Sequence, residues 1–154
     1  MSEAFRSLLS RLASELSLPD IPVQEGAALI VVDDFEVGIR LLPSEQVMMY
    51  TVLAPLPAER HTLMTDLLAA NTLFIETHGF TLSAREDTGV MLQGLMPMCA
   101  LHSGNIGQWL QNFVDLAEHW QARCLQSSSA PASADPLVGE GAFDPLTMMD
   151  MLRI

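Results

Sequence analysis

One prospective helix face limits the folds open to this chain more than any other feature. From Ile106 onward, Trp109, Leu110, Phe113, Leu116, Ala117, Trp120 and Cys124 recur at spacings of three and four, the period of a single helix face. Two tryptophans and a phenylalanine carry a large apolar area, so this helix must lie on a surface of comparable size. The stretch before it supplies one. Phe80–Arg85 and Val90–Met96 read as short apolar strands joined by the turn residues Glu86, Asp87, Thr88 and Gly89. The expectation is a helix laid across an antiparallel sheet.

The earlier residues add to both layers. Residues 3–17 place Phe5, Leu8, Leu9, Leu12 and Leu16 on one helical stripe, with Ser2 as an N-cap and Pro19 and Pro22 beyond the end. Ala27–Val32 is a continuous apolar run, expected as a strand covered on both faces. Asp33 and Asp34 supply a turn, and a solvated hairpin accounts for their carboxylates and that of Glu36. From Phe35 to Leu41 the pattern alternates, with Phe35, Val37, Ile39 and Leu41 on one face and Glu36, Gly38 and Arg40 on the other. Val47–Leu53, after the Pro43-Ser44 break, continues the meander as a third strand, apolar on both faces. Pro55 and Pro57 close it, and a second helix is expected over about residues 58–74, with Leu63, Met64, Leu67, Leu68 and Asn71 on its richer face. The predicted fold is α+β: a twisted antiparallel sheet of about five strands with three helices, in the order α-β-β-β-α-β-β-α.

Charge narrows the partners. Nineteen acidic residues face seven basic ones, all arginine, for a formal net charge of −12. Such a surface repels nucleic acid and anionic membranes, and suits a basic partner or the simple solubility of an apolar-rich chain. With 49% hydrophobic residues in 154, the chain can bury one domain core. No apolar run reaches the roughly 20 residues that span a bilayer. The first residues lack the apolar block of a signal peptide, which places the chain in the cytoplasm with its two cysteines as free thiols.

The order of elements, the opening leucine helix with its Leu18-Pro19 stop, Val47-Met48-Met49-Tyr50, Leu67-Leu68-Ala69-Ala70-Asn71, Met91 to Pro97 and Phe113 to Trp120 together resemble the class I type III secretion chaperones, the CesT/SycE-type family. The resemblance covers about residues 3–126. It implies a homodimer of α+β subunits in the bacterial cytoplasm, with the middle helix and neighbouring strands at the two-fold interface. It also implies secreted effector proteins as partners, bound in extended form at their N-terminal segments on hydrophobic patches, with delivery to the secretion ATPase.

On that basis Leu9, Leu12, Leu16, Val37, Ile39, Leu41 and Met49 are candidates for an effector patch, and Leu63, Met64, Leu67, Leu68, Asn71, Phe80 and Leu82 for the dimer interface. Each apolar one reads equally as core. Asn71 fits a register-fixing bond across the dimer axis, a cap or an exposed position. Met48, Met49, Met64, Met91, Met96 and Met98 suit either an adaptable binding surface or gap-filling.

For catalysis the residues offer little. Cys99 and His102 form an isolated pair without the second pair that a closed zinc site needs, and His61, His78, His119 and Cys124 stand at no strong metal spacing. No phosphate loop or nucleophile elbow is present. No enzyme, metal or cofactor is expected. The alternatives are a regulatory binding protein of the same fold, which sequesters a secretion-control partner, and a small ligand-binding domain or enzyme. Domain 1–126 is followed by a Ser/Ala/Pro linker and a C-terminal tail, 127–154, in which Leu146, Met149 and Leu152 regain apolar density. That tail reads as flexible, or as a short segment that docks on the effector patch or on a partner.

Overall fold

The computed structural model describes residues 3–58, 61–101 and 105–129. Alternation and turns build the sheet. Helix α1 (Glu3–Glu15) leads into a very short strand β1 (Val23–Gln24), then β2 (Ala27–Val32), β3 (Phe35–Leu41) and β4 (Gln46–Ala54). Helix α2 (His61–Ala70) and a 3₁₀ turn, Thr72–Phe74, precede β5 (Thr81–Arg85) and β6 (Gly89–Pro97). A single turn of helix, α3 (Met98–Leu101), leads to α4 (Ile106–Ser129). The strands form one antiparallel sheet in the order β1-β2-β3-β4-β6-β5. The expected α+β architecture stands, with six strands in place of five. Strand β1 has only two residues between a proline and the turn at Glu25 and Gly26, too few to show an alternation.

The helices cover one face of the sheet. Ile30, Val37, Ile39, Val47, Met49, Val90 and Leu92 point into that layer and are buried with Phe5, Leu8 and Leu12 of α1. Helix α4 crosses it as its period requires, burying Trp109, Phe113, Ala117, Trp120 and Cys124. Phe80 fixes the seat of α4: its ring stacks on Trp109 at 6.2 Å and meets Phe113 edge-on at 5.3 Å. Gly94 makes this possible, because a Cβ there would come within 2.6 Å of the Phe80 ring. Glu15, at the end of α1, lies against Gly107 in the first turn of α4, where a carboxylate complements the helix dipole.

Three expectations change. The second helix stops at Ala70, and Leu73 and Phe74 follow at φ +56° and +54°. Strand β2 is covered on one face only, since the helices lie on one side of the sheet and Leu29 and Val31 point to the other. Helix α4 runs to Ser129, three residues past the expected domain boundary, while residues 130–154 lie outside the described residues.

Candidate functional site

Among the described residues nothing covers the face of the sheet away from the helices, and large apolar side chains are exposed on it. Leu29 and Val31 of β2, Val52 of β4 and Leu95 of β6 are exposed there, with Met48, Tyr50 and Met91 half-buried among them. Pairing aligns them in rows: Leu29 lies opposite Gly38, and Gly38 opposite Tyr50. A Cβ at Gly38 would enter the Tyr50 ring, so this glycine lets the ring lie flat across β3. Tyr50, Leu29, Ala27, Pro22, Gln24 and Glu25 line an open groove of about 640 Å³.

The two edges of the sheet differ. Strand β1 covers β2 only at Ala27 and Ala28. The amide of Leu41 donates to the carbonyl of Gly26 at 3.2 Å, which sets the phase of the antiparallel ladder. By that phase the backbone N–H and C=O groups of Leu29 and Val31 point away from β3, and among the described residues no strand pairs with them. At the other edge the side-chain amide of Asn71 closes the ladder: Leu82 N–H donates to Asn71 Oδ1 at 2.9 Å, and Asn71 Nδ2 donates to the Leu82 carbonyl at 2.8 Å. One edge is guarded. The other is open, β-branched and without lysine or proline to blunt it.

A second exposed apolar group lies at the end of α2. Leu68, Leu73, Phe74 and Ile75 are 68%, 78%, 51% and 71% exposed. Bulky residues in the left-handed region cost on the order of 1–2 kcal/mol each, and among the described residues little packs on Leu73 to offset that.

The residues expected at an effector patch are placed elsewhere. Leu9, Leu12, Val37, Ile39 and Met49 are 0–2% exposed in the chain's own core, and Leu16 and Leu41 are half-buried against it. The alternating face of β3 is the one the helices cover, so these side chains meet α1 and α4 rather than solvent. Of the expected interface set, Leu63, Leu67, Phe80 and Leu82 are core as well, Met64 packs half-buried against them, and Leu68 stands free. Asn71 bonds to Leu82 of its own chain. The outward residues Leu29 and Val31 were missed because an unbroken apolar run does not reveal which of its faces is covered.

Titratable groups gather in one further groove of about 590 Å³, lined by Glu76, His78, Asn112, Asp115, Leu116 and His119. Among the described residues no set of three His, Cys, Asp or Glu side chains is placed to hold a metal ion. His102 lies outside them. No described helix is long and apolar enough to cross a membrane.

An open sheet edge beside an apolar face is a surface made to receive another polypeptide. The Tir chaperone protein (CesT) family model matches residues 7–121, and the chain belongs to that family, the class I type III secretion chaperones. Its fold is similar to that of the ExsC–ExsE complex at 21% identity and a TM-score of 0.65, covering 87% of this chain and 100% of that one. It is also similar to the ExoT–SpcS complex of Pseudomonas aeruginosa (20% identity, TM-score 0.62, 77% and 98% covered). The HopA1–SchA chaperone–effector complex is similar as well (16% identity, TM-score 0.62, 77% and 94% covered). No curated relative matches the sequence.

Proposed function

We propose that the protein binds the N-terminal segment of one or more secreted effectors in extended form, adding it as a strand to the open edge of β2. The observation that carries this reading is the outward-facing backbone of Leu29 and Val31 beside an exposed apolar sheet face. A client strand there gains backbone hydrogen bonds from the edge. Its alternate side chains rest beside Leu29 and Val31 and reach the groove under Tyr50. The described neighbours are complexes, one of them named chaperone–effector, which supports this use of the fold. Held this way a segment neither folds nor aggregates, and it stays ready for export.

The same reading makes the protein a homodimer through Leu68, Leu73, Phe74 and Ile75, a cytoplasmic binding protein rather than an enzyme, and a carrier that hands its client to the secretion ATPase. Recovery of the tagged protein from secreting cells tests the client half. The wild-type chain retains exported proteins in soluble complex. Val31→Pro removes one outward N–H and leaves the β3 ladder intact, so it weakens retention by roughly tenfold or more. Recovery of a secretion-control protein alone points to the regulatory reading, and retention untouched by Val31→Pro moves the client off this edge.

A further inference from the structure

The groove on the open face combines an aromatic floor with an unpaired carboxylate at its rim. We propose that it takes an arginine side chain of the client, so that the segment received at the β2 edge is one that carries arginine among its apolar residues. This rests on the reading of that edge as the client site.

Gly38 sets the floor. A Cβ there would stand 2.6 and 2.7 Å from Cε1 and Cε2 of Tyr50 and closer still to Cζ. Near-equal distances to the two flanking carbons put the face of the ring, rather than its edge, on the backbone of β3. The other face is left to line the groove with Leu29 and Ala27. An aromatic face resting flat on a sheet is a platform for a cation, because its π electrons present negative charge.

A tight turn supplies the rim. Glu25 and Gly26 join β1 to β2 at φ +51° and +78°, the two left-handed positions of a type I′ hairpin. Asn, Asp or Gly suits the first of these positions better, yet a glutamate stands there and lines the groove. Its side chain is exposed and among the described residues forms no ion pair; Arg40 lines an adjoining groove with it and is not paired to it.

Size and charge select the occupant. The Tyr50 ring lies over β3, two strand spacings or about 10 Å from a client strand on β2, so only a long side chain spans the gap. Methionine would meet the ring but offer nothing to the carboxylate, and lysine would meet the carboxylate as a point charge without stacking. Arginine does both, since its planar guanidinium lies on the ring while its edge N–H groups reach a carboxylate. The net charge of −12 favours a cation in the same way.

The test uses the full chain and the ring resonances of Tyr50, the one tyrosine in the sequence. The α-acetyl amide of arginine shifts them saturably, and the same derivative of citrulline, a neutral isostere, binds about fivefold more weakly. Glu25→Gln weakens the arginine probe about threefold and leaves the citrulline probe unchanged. No response at Tyr50, equal binding of the two probes, or a lysine derivative that binds as well as the arginine one overturns the proposal. These probes are too short to pair along a strand, so the result does not depend on where the client's backbone sits. Exported proteins then test the client itself: Glu25→Arg, with unchanged circular dichroism, lowers their retention about fivefold. Retention that is lost with Val31→Pro but untouched by Glu25→Arg would keep the client on the edge and overturn the arginine anchor alone.

Discussion

Asn71 shows how one side chain decides which edge of a sheet is available. Its amide reproduces the donor and acceptor of a missing strand at Leu82, eleven residues away, and so terminates the ladder at β5. Asn71→Ala removes both bonds and leaves the backbone groups of buried Leu82 unsatisfied. A loss of about 1–3 kcal/mol is expected, measured by chemical denaturation against wild type. An unchanged midpoint would mean that water serves Leu82 equally well. Nothing in the sequence announces this contact, because a polar residue late in an apolar helix is equally compatible with a cap, an interface or solvent. The cysteines are separable in the same way. Burial pushes the Cys124 thiol above its ordinary range, only partly offset by the nearby Arg123, so it stays protonated and covered at neutral pH. Cys99 is exposed. A thiol-alkylating reagent at neutral pH should therefore label Cys99 in the native protein, and Cys124 only after denaturant is added, as peptide mass analysis would show.

At the scale of elements, what was legible followed from periodicity. Helix α4, the alternating strand β3 and the β5–β6 hairpin were readable because each has a period of its own. The end of α2 was hidden, since Leu73, Phe74 and Ile75 continue the apolar pattern past the point where the backbone turns left-handed at Leu73. The two sides of β2 were hidden for the complementary reason: coverage of a face is a property of the layer above it, and α1 and α4 choose that side only once packed. The exposed turn after α2 makes its own prediction. If a second copy covers it, Leu73→Asp together with Ile75→Asp places two charges in a dry interface and converts the dimer to monomer. Light scattering across a dilution series reads this directly. The same mass before and after substitution would exclude this surface as the two-fold contact, while near-native circular dichroism would confirm that the fold survived.

For the whole molecule, charge and shape divide the work of binding. A surface of net charge −12 extends its field about 8 Å into physiological salt, far enough to guide a basic segment in from solution and to slow an acidic one. On the proposed reading such a segment, once seated, is held by backbone pairing at Leu29 and Val31 and by apolar contact with those side chains and the groove under Tyr50, none of which salt screens appreciably. The two stages therefore respond differently to ionic strength. With an effector segment recovered from the secreting cell, raising salt from low to physiological levels should reduce the association rate constant by roughly tenfold, with little change in the dissociation rate constant. Rapid-mixing measurements of both rates would check this. If instead dissociation accelerates with salt while association holds steady, ion pairs rather than the sheet edge retain the client, and the groove that gathers Glu76 and Asp115 becomes the better place to look for it.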